Sequence, residues 1–153
     1  MVIGKQVIEV SPLEFRLDPG TGVPTYLQLV HQVEQALRLG YLKVGDRLPR
    51  VKDAVVALAI NPNTVLKAYR ELEHRGIAAG RPGQGTFVRA APEVPGPHEL
   101  TELRRALMAW MRQATTAGLD DDGIAALVAS AHRDYRGKRQ TSADSADSAG
   151  GTS

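Results

Sequence analysis

The sequence contains no cysteine, few aromatic residues and no apolar run long enough to cross a membrane. The absence of cysteine excludes disulfides, thiolate nucleophiles and thiolate metal ligands. A membrane helix requires roughly 18 consecutive apolar residues, and the N-terminal sequence also lacks the apolar stretch of a secretion signal. The chain has 153 residues, 42% of them apolar, which suffices for one domain with a small appendage. We therefore expect a soluble, cytoplasmic protein.

The net charge is only +2, but the charges are unevenly distributed along the chain. Residues 24–89 carry ten basic and five acidic side chains, whereas residues 90–153 carry seven basic and nine acidic ones. Within residues 47–89 the count is eight basic to three acidic. Such a local excess would attract a polyanionic partner, although an ordinary solvated surface is the common alternative.

Turn and capping residues predict three helices in the middle of the chain. The first begins at Pro24, after the turn-rich sequence DPGTGVP, and ends before Gly40. The second covers residues 51–59. The third covers residues 62–75, because an Asn-Pro pair supplies both an N-cap and a favoured first helical residue.

A β-hairpin is predicted directly after the third helix. Short strand patterns at residues 77–79 and 86–89 flank the loop sequence GRPGQG, which carries an arginine. Three helices followed by a basic, glycine-rich hairpin is the element order of a winged helix-turn-helix, whose third helix enters the DNA major groove. The predicted fold class is mainly α with a small β-hairpin, namely this domain followed by a short two-helix C-terminal module.

Composition divides the rest of the chain. Three prolines predict an extended linker, two helical patterns follow it, and the last residues are polar and repetitive, which predicts disorder. The predicted organisation is an N-terminal segment (1–23), a winged helix-turn-helix domain (24–89), a linker (90–97), a two-helix dimerisation module (98–136) and a disordered tail (137–153).

The two C-terminal helices carry an apolar stripe that is large enough to form an interface with a partner. The residues assigned to it are Leu103, Leu107, Trp110, Met111, Leu127 and Val128. Pairing with a second copy of the chain is the favoured interpretation. The alternative, in which both helices fold back on their own winged domain, stays open.

The third helix has two distinct sides at about 100° per residue. The buried stripe is predicted to comprise Val65, Ala68, Tyr69 and Leu72. The opposite side, spanning about 60° of the helix circumference, carries Asn63, Lys67, Arg70 and His74. Cations can neutralise phosphates, and an amide can make the paired hydrogen bonds that read an adenine edge. This face is therefore the candidate DNA-reading surface.

Residues 24–88 resemble the DNA-binding domain of the GntR family of bacterial transcription regulators. The motifs that carry the resemblance are GDRLP before the second helix, NPNTV and AYRELE in the third, and G-x-GTFV in the hairpin. The short two-helix tail, together with the upstream sequence FRLDPGTGVP, resembles the YtrA-like subfamily.

The resemblance implies a homodimeric regulator, in our interpretation a repressor, that binds an inverted-repeat operator in double-stranded DNA. From the residues themselves we expect no enzymatic activity, no cofactor and no membrane partner, and a small-molecule effector stays unknown. The resemblance, the outward face of the third helix and the hairpin loop together give the candidate DNA-binding residues: Arg50, Lys52, Asn61, Asn63, Thr64, Lys67, Arg70, Arg81, Gly83, Gln84, Gly85 and Thr86.

Two of these residues depart from the family pattern. Arg50 stands where a capping serine is usual, so the second helix is expected to lack an N-cap that is typically worth about 1 kcal/mol. Lys52 stands where the family places an arginine, and a point charge keeps phosphate attraction but weakens base reading. For Asn61, capping alone is an alternative to DNA contact. For Arg81 and Gln84, the alternative is a loop that merely closes the hairpin.

Other chemistry finds little support. The glycines at 83 and 85 do not extend to a GxGxxG nucleotide loop, because Val88 takes the last position. The acidic run at 120–122 lacks the glutamate of a calcium loop and suits a helix N-terminus instead. The four histidines have no metal-ligand spacing. A protein interaction module that uses the C-terminal helices stays open as the alternative function, and a small enzyme is the least supported class.

Overall fold

The structure, a computed structural model, describes residues 11–147 and divides the chain into two compact units, Met1–Leu100 and Thr101–Ser153. Five α-helices and one antiparallel hairpin make up the described part, which confirms the predicted fold class. In chain order they are α1 (Thr25–Arg38), α2 (Val51–Leu58), α3 (Pro62–His74), β1 (Ala78–Arg81), β2 (Gly85–Val88), α4 (Pro97–Thr116) and α5 (Asp121–Asp147).

The core of the first unit is built mainly between α1 and α3. Leu29 and Val33 of α1 and Leu72 of α3 are completely buried. Each fully buried side chain of this size contributes roughly 1.5–3 kcal/mol relative to exposure. The predicted inward stripe of α3 is confirmed, since all four of its members are buried. This packing fixes which side of α3 remains in solvent.

The turn between α2 and α3 contains a strained residue. Ala59 ends α2 with a φ of 53° in the left-handed region, the one described non-glycine residue that does so. The chain then turns through two residues into α3, whose N-cap is Asn61. A Cβ atom in this conformation costs roughly 1–2 kcal/mol. The helix-turn-helix geometry is thus maintained by tertiary packing despite a local penalty.

Replacing Ala59 with glycine is expected to stabilise the domain. The strain relieved, roughly 1–2 kcal/mol, exceeds the backbone entropy cost of glycine, roughly 0.5–1 kcal/mol. Urea denaturation should therefore show a gain of about 0.5–1 kcal/mol. The matched control is Ala57→Gly at an exposed position in the last turn of α2, which should lose a similar amount. Equal losses for both variants would contradict the strain assigned to Ala59.

The hairpin is extended by a third segment from the loop before α2. In the hairpin, Ala78 pairs with Val88 and Arg81 with Gly85. On the other side of β2, Arg47 forms an isolated bridge with Phe87, and the Leu48 amide donates to the Thr86 carbonyl oxygen at 2.8 Å. The wing is therefore three segments wide and is joined by hydrogen bonds to the start of α2.

Tyr69 connects α3 to that same loop. Its hydroxyl donates a hydrogen bond to the carbonyl oxygen of Pro49, and its ring lies 6.4 Å from the ring of Phe15. Burial raises the pKa of the Tyr69 hydroxyl far above its usual range, so the hydroxyl keeps its proton and stays a donor. The two residues that follow Pro49 begin α2, so this bond fixes α2 relative to α3.

Tyr69→Phe is expected to destabilise the domain by about 1–2 kcal/mol, because the Pro49 carbonyl oxygen loses its donor in a partly buried position. Thermal or urea unfolding measures the loss. Tyr41→Phe serves as the control, since Tyr41 is exposed and makes no hydrogen bond through its hydroxyl in the described part of the chain. A Tyr69→Phe variant as stable as this control would show that the hydrogen bond contributes nothing to the free energy of unfolding.

The segment before α1 is attached to it through two glutamine side chains. The Gln28 carboxamide accepts from the Asp18 amide at 2.9 Å and donates to the Asp18 carbonyl oxygen at 3.0 Å. Gln32 makes the same pair of bonds with the backbone of Arg16. Phe15 is buried in the core. Residues 11–23 of the predicted N-terminal segment thus pack against the winged unit, and residues 1–10 lie outside the described part.

The C-terminal unit contains α4 and α5, and α5 is longer than predicted. The prediction of disorder from residue 137 is wrong as far as Asp147, where α5 ends; residues 148–153 lie outside the described part. The composition is polar, but no proline interrupts it, so a helix that is already nucleated can continue. Three hydroxyl groups in this stretch donate to carbonyl oxygens one turn earlier, namely those of Thr141, Ser142 and Ser145.

The remaining boundaries differ from the predicted ones by one or two residues. The linker is shorter by one residue, because α4 begins at Pro97. The Asp120 carboxylate accepts from the Gly123 amide at 2.8 Å, which is the capping role expected of the acidic run.

Within residues 11–147, none of the helices combines the length and apolar character that crossing a bilayer demands.

Candidate nucleic-acid interface

The outward face of α3 presents one amide and two cations to solvent. Asn63, Lys67 and Arg70 are all exposed, as the helical spacing predicts. Among the described residues, the Asn63 carboxamide has no hydrogen-bond partner within the protein, because only its backbone amide is bonded. Its donor and acceptor are both free to pair with an external group. The face thus offers a hydrogen-bonding amide beside two positive charges.

The first turn of α3 uses Asn61 for capping. The Asn61 carboxamide oxygen accepts from the Asn63 backbone amide at 2.8 Å, and the Thr64 amide donates to the Asn61 carbonyl oxygen at 3.0 Å. The Thr64 side chain is half-buried beside this turn. Of the two interpretations of Asn61, capping is therefore confirmed, and only the remaining lone pair and amide group of its side chain are available to a ligand.

Lys67 is held near the start of α1 by an aromatic ring. Its ammonium nitrogen lies 4.1 Å from the centroid of the Tyr26 ring. Cation–π contacts at exposed sites are worth about 0.5–1 kcal/mol. Helical spacing predicted Lys67 on the outward face, whereas Tyr26 is not among the predicted site residues. The contact limits the positions of the lysine charge without neutralising it.

The acidic residues of α3 lie off the outward face. Glu71 accepts from Arg75 Nε at 2.8 Å, and Arg75 also bonds to Glu34 of α1 at 2.7 Å. Hydrogen bonds to Glu71 and Glu34 raise the pKa of the Arg75 guanidinium above its usual value. These two carboxylates are thus paired at the α1 side of α3. The cations of the outward face are Lys67 and Arg70, and the exposed carboxylate of Glu73 lies three residues from Arg70 along the helix.

The start of α2 presents two more cations. Arg50 is the N-cap residue and makes no side-chain capping bond, which confirms the predicted loss of the cap. Lys52 lies in the first turn and is exposed, as is Arg50. The first-turn amides of α2 and these two side chains place positive charge at the helix N-terminus, which the exposed carboxylate of Asp53 in the same turn partly offsets.

The hairpin tip is exposed and glycine-rich. Gly83 has a φ of 71° in the turn, where the Gln84 amide donates to the Arg81 carbonyl oxygen at 3.0 Å. Gln84 and Gly85 are exposed, whereas Thr86 is half-buried in β2. Gly83 occupies a left-handed conformation that an L-residue adopts only under strain. The tip thus keeps its backbone open to close approach.

Arg81 does not extend from the tip. Its guanidinium carbon lies 4.3 Å from the centroid of the Phe87 ring, and that of Arg47 lies 5.2 Å from the same centroid. Neither Arg47 nor Phe87 is among the predicted DNA-binding residues. The alternation of side chains along a strand could have grouped Phe87 with Gly85, but only the tertiary bridge at Arg47 brings that residue beside them.

In the C-terminal unit, the predicted apolar stripe is largely exposed. Leu103, Leu107, Leu127 and Val128 are exposed by 62%, 46%, 45% and 39% respectively, while Trp110 and Met111 are half-buried. An open, mainly apolar groove of about 940 Å³ lies between α4 and α5.

Across the described part of the chain, no group of histidine and carboxylate side chains could hold a metal ion.

Three helices, a three-segment wing and a basic outward face on the third helix define the class of protein as a winged helix-turn-helix regulator. Residues 25–88 match the profile of the bacterial regulatory proteins of the gntR family. The HTH-type transcriptional repressor YtrA of Bacillus subtilis (strain 168) is 30% identical over 128 residues, which cover 82% of this chain and 97% of that relative.

Two further proteins agree with this match. The uncharacterized HTH-type transcriptional regulator YhcF, also of Bacillus subtilis (strain 168), is 34% identical over 96 residues, covering 63% of this chain and 79% of the relative. The crystal structure of a transcriptional antiterminator from Listeria monocytogenes EGD-e superposes with a TM-score of 0.50 at 28% identity, covering 81% of this chain and 93% of that one.

The chain belongs to the GntR family of bacterial transcription regulators and shows its similarity to YtrA beyond the DNA-binding domain. The family resemblance stated for residues 24–88 is thereby confirmed. The curated relatives are named as transcription regulators, in agreement with the prediction that the chain is not an enzyme.

Proposed function

We propose that the protein binds an inverted-repeat DNA operator as a homodimer and represses transcription from the promoter that this operator overlaps. The observation that carries the proposal is the outward face of α3, where the unpartnered Asn63 carboxamide lies among exposed cations. A recognition helix in the major groove needs this combination, since cations fix its register and an amide reads a base.

Each element has a separate part in binding. Lys67 and Arg70 neutralise phosphates on either side of the groove, and Asn63 makes paired hydrogen bonds to an adenine edge. The N-terminus of α2, with Arg50 and Lys52, lies against the backbone. The wing tip, formed by residues 83–85, approaches the neighbouring groove.

Two copies are proposed to pair through α4 and α5. The exposed apolar side chains of these helices form a surface that is unfavourable in water and that pairing with a second copy would bury. Pairing positions two recognition helices on half-sites of a symmetric operator, which roughly doubles the number of phosphate contacts per complex. The repressor role follows the relative that is named a repressor, and it acts by occupying promoter DNA.

Mobility-shift assays on the DNA upstream of the protein's own gene test the proposed interface. Asn63→Ala is expected to weaken binding to that duplex by about 10- to 100-fold, corresponding to the roughly 1–3 kcal/mol of one base contact. Binding to a shuffled duplex of the same length should change little. Lys67→Ala should weaken binding to both duplexes, because a phosphate contact carries no sequence information.

The matched control is Gln35→Ala, which removes an exposed amide from α1. This variant should bind both duplexes like the wild type. If Asn63→Ala and Lys67→Ala bind as the wild type does, α3 does not read DNA. A partner protein that still binds the Asn63→Ala, Lys67→Ala double variant, in the absence of DNA binding by the wild type, would favour the interaction-module alternative.

Leu107→Glu is expected to convert the dimer to a monomer without unfolding it, because Leu107 is already 46% exposed in the single chain. Sedimentation velocity measures the change, and operator affinity should fall with it. Gln113→Glu is the control, since it adds the same charge to the exposed side of α4 away from the stripe. A dimer that survives Leu107→Glu would place the subunit interface elsewhere.

A further inference from the structure

The wing has two faces with different chemistry. Strand alternation directs Ala78, Val88 and Leu48 into the core, where all three are buried. The residues that alternate with them lie on the opposite, outer face. From the tip inward, these are Arg81 with its partner Gly85, Phe87 with its partner Ala79 and, on the third segment, Arg47.

Phe87 is buried, at 8% exposed, but it lies outside the contiguous cluster of side chains that forms the main core. Two arginines contact it from neighbouring segments, with the guanidinium carbons of Arg81 and Arg47 at 4.3 and 5.2 Å from the ring centroid. Guanidinium groups stack favourably on aromatic faces. The phenylalanine is therefore an aromatic platform on which the guanidinium groups of two arginines stack.

Gly85 lies beside the Arg47 side chain. A Cβ atom at that position would lie in ordinary van der Waals contact with Arg47, at 3.6 Å from Nε and 3.8 Å from Cδ, so it is the backbone φ of 122° that favours glycine there. Arg47 thus lies across the glycine, beside the ring. The pairing of Gly85 with Arg81 brings the second arginine to the same position from the other strand.

Within residues 11–147 neither arginine has an acidic partner, because the ion pairs there join Arg75 and Arg105 to glutamates. The Nε atom of Arg47 is buried and makes no hydrogen bond. Two neighbouring guanidinium groups repel each other unless an anion bridges them, and a planar fork of N–H donors matches the oxygens of a phosphate.

We propose that Arg47 and Arg81, stacked on Phe87, form a phosphate-binding site for the DNA backbone on the outer face of the wing. The inference rests on the proposed function, because it describes how the wing of a DNA-bound domain is anchored. It adds Arg47 as a binding residue and Phe87 as a positioning residue, and it assigns Arg81 to the backbone rather than to a base.

The salt dependence of DNA affinity tests this site directly. Each phosphate contact contributes about 0.9 to the slope of log affinity against log salt. Arg47→Gln and Arg81→Gln are each expected to reduce the slope by about 1. Each should also lower the affinity for the duplex from upstream of the protein's own gene and for the shuffled duplex by the same factor. Arg133→Gln, which removes one exposed charge from α5, should retain the wild-type slope.

Arg47→Lys separates a stacked guanidinium from a simple charge. The lysine keeps the charge but lacks the planar fork, so affinity for both duplexes should fall severalfold while the slope stays close to that of the wild type. Full affinity in this variant would overturn the role assigned to the Phe87 platform. Circular dichroism melting of each variant establishes that the wing is folded.

The outcomes separate this inference from the proposed function. If the wild type binds neither duplex, the proposed function fails. If the wild type binds with a steep salt dependence and the Arg47→Gln, Arg81→Gln double variant has the same slope, the phosphate site fails and the function stands. Stabilisation of the wild type alone by inorganic phosphate, with an unchanged DNA slope, would assign the site to a free anion and overturn the inference.

Discussion

The burial of one side of α3 against α1 is the constraint on which the rest of the structure depends. Because Val65 and Leu72 are completely enclosed, α3 cannot rotate about its axis without losing several kilocalories per mole of apolar burial. The side that carries Asn63 and Arg70 is therefore held outward. The buried apolar side of α3 thus fixes the orientation of its exposed polar side, which lies half a turn away around the helix.

The other candidate DNA-binding elements are attached to α3 by a small number of polar contacts. Tyr69 bonds to Pro49, just before α2, and the segment around Leu48 continues into the wing through hydrogen bonds to β2. One loop thus connects the N-terminus of α2, the body of α3 and the wing. Local strain at Ala59 and the missing cap at Arg50 are offset by this tertiary framework. The three elements are consequently joined by hydrogen bonds into one framework, and preorganisation of this kind generally lowers the entropy lost on binding a partner.

Sequence patterns predicted what depends on local interactions. The Asn-Pro pair located the start of α3 at Pro62, and helical spacing identified its buried stripe, since caps and periodicity act within a few residues. The bridge between Arg47 and Phe87 joins residues forty positions apart, so the two-arginine platform had no local signal. Disorder was predicted after residue 137 from polar composition, but helix continuation depends on an existing helix rather than on apolar content.

The central claim is that the outward face of α3 contacts DNA while its inward face stays in the core. Nuclear magnetic resonance titration of the full-length protein with its upstream duplex tests this most directly. The account predicts that the largest shifts occur in the side-chain amide of Asn63 and in the signals of Lys67 and Arg70, with Val65 and Leu72 little changed. Saturating DNA binding that leaves the signals of Asn63, Lys67 and Arg70 unmoved would contradict it.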